Sequence, residues 1–444
     1  MRTIRIRPAF ATRLGAAAAA LILTFAATAC DTDSLLEVDI PGRVPDEVLD
    51  DPALARTLVN SVIADLECAW TDYTGGAAVM SDEYIAASGN LLNKQWASRQ
   101  ISSSNNDHAF GACAGSYGSF TPLHTARFQA EDVFNRLEVF GDQAVPQRVL
   151  FQATVRAYGA YAILALGEGF CEMTIDGGPI QTRAQTLQLA ESKFNEAITL
   201  ATQVNNADIL NMARLGRARV RLDLENFAGA RADAAAVPTG YQKDATRDVS
   251  ATRRWNLHHE LVNSRTGPKH ASIADNFRDL RFKGVVDPRV NAQTTNALSF
   301  DFVTVHYFHN KTTGRETSVP IASYKEAQLI VAEAAARSGD LATARTILNQ
   351  RHTLANLPLY DAADLPAQAD VIRAVIEERK RELFVEGGWR LNDMLRFRGT
   401  PYQIPFRGEA GSIHPNGIDQ TRQAYGTETC LPLPDSERLA SSGD

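Results

Sequence analysis

The sequence predicts a predominantly α-helical protein made of helical hairpins, with long irregular insertions and a few short strands. Apolar residues recur with helical period in nine stretches, and these stretches mostly follow one another in pairs. Two long segments that contain Gly, Asn, Thr and Pro lie between the helical stretches. Paired helices and long insertions together predict an all-α scaffold that carries irregular loops.

The helical stretches divide the chain into hairpins. They comprise residues 53–66, 123–140, 147–167, 186–204, 209–224, 227–237, 324–339, 341–352 and 370–387. Residues 218–231 align with residues 332–345 at a constant offset of 114, which makes Ala230 and Ala344 equivalent. Small residues at such positions let antiparallel helices approach closely, as tetratricopeptide-like repeats require.

The two insertions cover residues 68–121 and 238–322. The second contains a β-like run, FDFVTVHYF, at residues 300–308. Long irregular segments in a helical scaffold are usually functional, so we expect ligand contacts in these insertions.

The N-terminus is typical of an export signal. Four arginines precede an almost uncharged, Ala-rich run that is short for a membrane span. The run ends in Ala27-Thr28-Ala29 before Cys30, which is the arrangement of a bacterial lipoprotein signal. Residues 1–29 are therefore expected to be removed and Cys30 to carry a lipid anchor. Residues 30–444 are expected to form a single domain, with its helical scaffold at about 122–237 and 323–390.

The mature chain is acidic. Residues 1–29 hold four of the 45 basic residues and none of the 52 acidic ones, so their removal changes the formal charge from −7 to −11. A surface of that sign repels polyphosphate backbones, and no long basic patch offsets it. Nucleic-acid binding is therefore not expected.

Four cysteines remain besides Cys30: Cys68, Cys113, Cys171 and Cys430. An even number in an exported chain favours two disulfides. The pairs Cys68–Cys113 and Cys171–Cys430 are favoured, because the first flanks one loop region and the second ties the C-terminal tail to the body. Buried free thiols are the alternative. A thiol-bound metal is not expected, since no CxxC or CxxH spacing occurs.

Residues 377–397 combine four glutamates with five cations. A catalytic acid or base needs a carboxylate that is desolvated or opposed by a like charge, whereas every carboxylate here has a cation within one helical turn. The apolar residues of this helix form one face, so Glu377 and Arg381 are expected on the opposite, solvent-exposed face. Their spacing of four residues favours an ion pair between them. The pattern predicts a structural helix rather than an active site.

The same segment resembles the C-terminal signature of the SusD/RagB family of outer-membrane nutrient-binding lipoproteins. The charged residues that match this motif are Glu378, Arg379, Glu382, Glu386, Arg390 and Asp393. Gly387-Gly388-Trp389 adds one residue before Arg390, and Met394 replaces the usual Leu, as in a divergent member. Other stretches that resemble family elements are residues 156–169, Asp287-Pro288-Arg289, residues 323–351 and residues 430–438.

The resemblance implies a SusD-like fold of tetratricopeptide-type helices that presents loops as a ligand surface. It implies a lipid-anchored outer-membrane protein that faces the cell surface and has neither enzymatic activity nor a cofactor. The implied ligand is a glycan or another oligomeric nutrient, and the implied partner is a SusC-like TonB-dependent β-barrel transporter. The charged cluster would then be an ion network that fixes the last long helix. A helical-repeat scaffold without a small ligand and an exported glycoside hydrolase are the alternatives.

Aromatic faces and hydrogen-bonding side chains in the insertions are the expected sugar contacts. The candidates are Asp82, Tyr84, Asn93, Trp96 and Arg99 in the first insertion, and Trp255 and Tyr307 in the second. Trp96 ranks first and Trp255 second. Core packing is the alternative for each aromatic side chain.

Signals for hydrolysis or metal binding are weak. Asp82 and Glu83 are a carboxylate pair, but glycosidase carboxylates carry no sequence signature that would mark them. His306 and His309 have a spacing that permits metal ligation from a turn, but no third ligand lies near them in sequence. No metal site is therefore expected.

Overall fold

Long antiparallel helices form the core of the protein in a computed structural model that describes residues 45–104, 107–111, 118–263 and 269–442. The helices are α1 (Ala55–Met80), α2 (Leu91–Ser98), α3 (Phe120–Val139), α4 (Arg148–Gly169), α5 (Arg183–Gln203), α6 (Ala207–Asp223), α7 (Phe227–Ala235), α8 (Leu257–Leu261), α9 (Tyr324–Arg337), α10 (Leu341–Leu354), α11 (Gln368–Glu382), α12 (Trp389–Arg396) and α13 (Asp435–Ser442). The predicted helix-dominated fold class is confirmed.

Short strands pair two by two beside the helices. They are β1 (Tyr84–Ala86), β2 (Glu172–Met173), β3 (Gln181–Thr182), β4 (Gln242–Ala245), β5 (Ala271–Ile273), β6 (Arg281–Phe282), β7 (Val285–Val286), β8 (Gln293–Leu298), β9 (Val305–Phe308) and β10 (Val319–Ser323). The antiparallel pairs are β1 with β5, β2 with β3, β4 with β10, β6 with β7, and β8 with β9. Most strands lie in the second insertion, as its sequence predicts.

Helix α4 is the centre of the helical core. Every residue from Phe151 to Gly169 is buried, and the helix packs against α1, α3 and α5. A Cβ atom on Gly159 would lie 2.6 Å from Cβ of Ala130, so the glycine allows α3 and α4 to approach closely. Among the described residues, α4 alone is long and apolar enough to cross a membrane, and 89% of its most apolar window is buried inside the protein.

The repeat seen in the sequence corresponds to two hairpins, α6–α7 and α9–α10. Asn226 and Asp340, which are 114 residues apart, each cap the second helix of their hairpin through a side-chain oxygen. The residues before them, Glu225 and Gly339, both have positive φ, 58° and 85°. The predicted repeat therefore extends to the backbone conformation of the turn.

Helix α1 runs to Met80, well past the predicted end at residue 66. It continues through Gly75-Gly76 because tertiary contacts override the low helix propensity of glycine. A Cβ atom on Gly76 would lie only 1.7 Å from the Trp96 ring, and one on Gly75 would lie 2.8 Å from Leu257. The predicted boundary of the first insertion at residue 68 is therefore wrong.

The C-terminal tail is tied to the body. A disulfide joins Cys171 to Cys430, which is the pairing favoured from the sequence. Beside it, the amide of Leu431 donates to the carbonyl of Gly169 at 2.9 Å. Residues 52–444 form one compact unit. Residues 1–29, Cys30 and Cys113 lie outside the described residues, so the leader, the lipidation and the Cys68–Cys113 pair stay predictions.

Candidate ligand-binding surface

The charged cluster of residues 377–397 lies inside the protein. The carboxylate of Glu378 is fully buried and accepts hydrogen bonds from Arg289 at 2.6 Å and from His352 at 2.7 Å. Arg379 donates to Glu333 at 2.5 Å and to Asp393 at 2.7 Å. These contacts join α11 to α9, α10, α12 and the β7–β8 connection.

The pair of Glu377 and Arg381 forms, with 2.8 Å between Nη2 and Oε1. The prediction that the pair is exposed to solvent is wrong for Arg381. Its side chain is only 9% exposed because the β6–β7 segment covers it. Its guanidinium donates to the carbonyl of Arg281 at 3.3 Å and to Asp287 at 3.2 Å. Arg381 therefore holds the second insertion against α11.

Glu382 and Glu386 complete the ion network. Arg351 donates to Glu382 at 2.7 Å, and the ammonium groups of Lys311 and Lys325 lie 2.8 Å and 2.7 Å from Glu386. Burial would raise the pKa of Glu386, but the two ammonium groups outweigh it and lower that pKa. The cluster therefore has the geometry of a structural network.

Asp82 and Glu83 are also enclosed. Asp82 accepts two hydrogen bonds from Arg390, at 2.5 Å and 2.6 Å. Glu83 accepts from the amide of Val385 at 2.7 Å, and burial, together with the charge of Asp82, raises the pKa of Glu83 to about 7. Both side chains are buried, so they do not face a bound polysaccharide. The geometry does not favour the hydrolase alternative.

Four other candidates from the first insertion face the interior. Tyr84, Asn93, Trp96 and Arg99 are all buried. The Trp96 ring packs on Gly76 of α1, and Arg99 donates to the carbonyls of Arg407 and Glu428, each at 2.8 Å. The irregular sequence gave no sign that this segment folds back onto α1. In this structure these side chains stabilise the fold and are not displayed to a ligand.

Trp255 and Tyr307 are half-buried, and a guanidinium group covers one face of each ring. The Cζ atom of Arg315 lies 3.6 Å from the centroid of Trp255, and that of Arg278 lies 4.2 Å from the centroid of Tyr307. These cation–π contacts use a face that a sugar ring would need. The two aromatics therefore stay secondary candidates.

His258 and His309 of the second insertion lie in a buried polar network. The Tyr84 hydroxyl lies 2.7 Å from Nε2 of His309 and 3.3 Å from Nδ1 of His258. Burial lowers the pKa of His258 to about 4. Within the part of the chain that the structure describes, no group of three His, Cys, Asp or Glu side chains is arranged to hold a metal ion.

Among the described residues, several exposed apolar and aromatic side chains lie together at the turn between β8 and β9. Leu298, Phe300, Phe302 and Val303 are all exposed there, and the ring of His270 lies 5.1 Å from the Phe300 ring. We call these five residues the hairpin-tip platform. Phe302 is 80% exposed, so its ring faces solvent.

Hydrogen bonds fix the platform on the body. The amide of Asp301 donates to the carbonyl of Ala87 at 2.9 Å, and its carboxylate accepts from the amides of Val303 and Thr304 at 3.0 Å and 2.9 Å. His270 lies 3.2 Å from the hydroxyl of Ser88. The turn is therefore held on the loop that follows β1.

Phe302 has a positive φ of 58°. This left-handed conformation costs a residue with a Cβ about 1–2 kcal/mol. Its amide donates to the carbonyl of Ser299 at 3.0 Å, which holds the turn in place. The strain is associated with an aromatic ring directed into solvent, as is common at binding surfaces.

The prediction missed the platform, although its residues open the β-like run FDFVTVHYF. Strand β9 starts only at Val305, and residues 300–303 form the turn. The available signal was the pair of phenylalanines that flank Asp301, since Asp commonly organises turns through its own carboxylate.

These features define a helical-hairpin scaffold with an exposed loop surface. A family model described as the SusD family matches residues 282–438. This part of the chain therefore matches the SusD/RagB family, which confirms the resemblance seen in its sequence. No curated protein sequence matches the chain.

Solved structures with the same fold cover most of the chain. A SusD superfamily protein from Bacteroides vulgatus ATCC 8482 is 15% identical with a TM-score of 0.65, covering 88% of this chain and 97% of that one. A laminarin-binding SusD-like protein is 15% identical with a TM-score of 0.61, covering 87% and 97%. Surface glycan-binding protein A from Bacteroides uniformis is 13% identical with a TM-score of 0.65, covering 88% and 98%.

Proposed function

We propose that the protein binds glycan chains at the hairpin-tip platform and delivers them to a SusC-like TonB-dependent transporter in the outer membrane. The observation that carries the proposal is the strained, solvent-directed ring of Phe302 on a turn fixed by Asp301. The SusD-like relatives described as binding laminarin or surface glycans support the same class of ligand.

The chemistry of the platform suits a sugar chain. Exposed aromatic rings pack on the apolar C–H faces of pyranose rings. Phe300, Phe302 and Val303 provide such a surface, and Asn296 is exposed on the same hairpin as a hydrogen-bonding group. The platform is an exposed turn rather than a cavity, which suits contacts along a polymer better than enclosure of a monosaccharide.

The proposed location is the outer membrane, with a lipid anchor on Cys30 and the protein facing the cell surface. The Ala-Thr-Ala-Cys sequence at residues 27–30 supports the anchor, and the match of residues 282–438 to the SusD family supports the membrane and the transporter partner. The proposed role is binding and transfer, without catalysis.

Affinity electrophoresis in gels that contain single neutral polysaccharides, laminarin among them, tests the ligand. We expect at least one polysaccharide to retard the wild type, and Phe302→Ala to abolish that retardation. Phe128→Ala is the matched control, because Phe128 is 54% exposed on α3 and outside the platform. If no polysaccharide retards the protein, or if Phe302→Ala behaves like Phe128→Ala, the platform is not the glycan site.

Detergent extraction of the tagged protein from its native membrane tests the partner. We expect a TonB-dependent barrel in stoichiometric amount by mass spectrometry. Recovery of the protein alone, from cells in which Cys30 is lipidated, would contradict the transporter role and favour the scaffold alternative.

A further inference from the structure

A cleft of about 280 Å³ lies where the ends of α5, α6, α9 and α12 meet. Three guanidinium groups line it, those of Arg183, Arg337 and Arg396, and Phe227 and Phe397 form apolar walls. The cleft shares no residue with the hairpin-tip platform, and the proposed glycan function leaves it unexplained.

Arg396 is satisfied by carboxylates of the protein. It lies 2.8 Å from Glu333, 3.1 Å from Asp393 and 3.2 Å from Asp223. Arg396 therefore has few donors left for a ligand and acts as part of the wall.

Arg337, in contrast to Arg396, has no carboxylate of the described residues within hydrogen-bonding distance. Its nearest carboxylate is Glu333, with 3.8 Å between Nε and Oε1, which is beyond hydrogen-bonding distance. Glu333 is already bonded to Arg379 at 2.5 Å and to Arg396 at 2.8 Å. The Nε atom of Arg337 is buried without a hydrogen-bond partner. The guanidinium is therefore an incompletely paired cation.

Aromatic rings hold this cation in place. The Cζ atom of Arg337 lies 4.8 Å from the ring centroid of Tyr402, 5.5 Å from that of Phe397 and 5.7 Å from that of Phe227. Such cation–π contacts orient a guanidinium without using its N–H donors. Arg337 is therefore preorganised to bind an anion.

Arg183 supplies a second cation. Its Nε donates to the carbonyl of Gly167 at 3.0 Å, and Nη2 donates to that of Glu168 at 3.2 Å. None of the hydrogen bonds in the described chain uses Nη1. Arg183 and Arg337 line the same cleft, and each guanidinium has N–H groups that no hydrogen bond of the described chain uses.

The remaining lining sets the ligand's size and polarity. Asp223, Glu225 and Thr400 offer acceptors for hydroxyl groups, while the two phenylalanine walls offer apolar contact. The two carboxylates leave the three guanidinium groups with a net charge of +1, which suits a ligand with a single carboxylate. Glu225 adopts φ of 58° at the position where the sister hairpin has Gly339. We infer that the cleft binds one small hydroxylated carboxylate of monosaccharide size, of the uronic acid class.

Calorimetric titration and thermal unfolding with sodium galacturonate test this site, with galactose and sodium sulfate as comparison probes. We expect galacturonate to bind and to raise Tm, galactose to have no effect, and sulfate to act at least tenfold more weakly. Arg337→Gln is expected to weaken galacturonate binding at least tenfold. Arg281→Gln is the matched control, because Arg281 is a half-exposed arginine on the β6–β7 hairpin.

Absence of galacturonate binding, equal effects of sulfate and galacturonate, or Arg337→Gln affinity within twofold of the wild type would each overturn the inference. If Arg337→Gln does not fold, Arg337→Lys keeps the cation but loses the planar fork and is expected to weaken binding at least fivefold. Unchanged affinity in that variant would also overturn it. Phe302→Ala is expected to retain galacturonate binding, which separates this site from the glycan platform.

Discussion

Asp82 and Arg390 are joined by two hydrogen bonds, 2.5 Å and 2.6 Å long, although 308 residues separate them in the chain. The pair links the segment after α1 to the start of α12. Burial would raise the pKa of Asp82, but attraction to Arg390 outweighs it and lowers that pKa. The contact therefore joins the first insertion to the family motif.

Asp82→Ala should be strongly destabilising. The substitution leaves the Arg390 guanidinium buried without its partner, which typically costs about 3–5 kcal/mol. Urea unfolding measures the change, and Asp279→Ala is the control because Asp279 forms a largely exposed pair with Arg281. A loss below about 1 kcal/mol for Asp82→Ala would show that the pair is not important for stability.

Glu83 should make stability depend on pH. Its carboxyl holds a proton up to a pKa of about 7 in the folded protein, against an ordinary value of 4.5 in the unfolded chain. Between these two values the folded state binds more protons, so the free energy of unfolding falls as pH rises. The contribution lost by pH 8 is on the order of 3 kcal/mol.

Glu83→Gln removes this titration. We expect the difference in Tm between Glu83→Gln and the wild type to be more positive at pH 8 than at pH 5. Glu138→Gln, at an exposed position on α3, should show no such change. A pH-independent difference for Glu83→Gln would contradict the raised pKa.

Gly76→Ala should disrupt the contact between α1 and α2. A Cβ atom there would lie 1.7 Å from the Trp96 ring, which is itself buried and cannot move outward freely. Overpacking of this kind costs about 1–3 kcal/mol or more. Gly141→Ala is the control, because its Cβ would meet nothing within 4 Å. Equal Tm values for the two variants would be inconsistent with the close packing.

The disulfide between Cys171 and Cys430 should stabilise the folded protein. Replacing both cysteines with serine is expected to cost about 2–5 kcal/mol, since the bond closes a long loop. Unfolding of the variant and of the oxidised wild type measures the difference, and non-reducing peptide mapping establishes the bond. A free Cys430 thiol in that map would contradict the pairing.

Phe302→Gly should abolish glycan binding while the protein keeps its stability. Glycine adopts positive φ without the steric cost that Phe302 bears, so we expect stability within about 1 kcal/mol of the wild type or above it. Glycan retardation should be lost because the ring is gone. A variant that still binds the retarding polysaccharide would exclude Phe302 as a contact.

The scaffold was predictable from the sequence because helical periodicity and close-packing small residues are local signals. The α6–α7 and α9–α10 hairpins and the equivalence of Ala230 and Ala344 follow from such signals. The motif at residues 378–393 marked the family for the same reason, since its charged residues are close together in sequence.

The ligand surface was not predictable in the same way. Trp96 was expected to be accessible because it lies in a segment without helical periodicity. Only its packing on Gly76 shows that it belongs to the core. Phe302 looked like part of a strand, and only the turn held by Asp301 exposes it.

The sequence by itself determined the helical scaffold and the resemblance to the SusD/RagB family, and it favoured one disulfide pairing, because periodicity, motif spacing and cysteine count are properties of the chain. The tertiary structure alone decided which aromatics are buried and which charges are paired. It placed Arg390 on Asp82 and left Arg337 without a close carboxylate partner. Burial and long-range ion pairing depend on contacts between distant segments, and no local pattern records them.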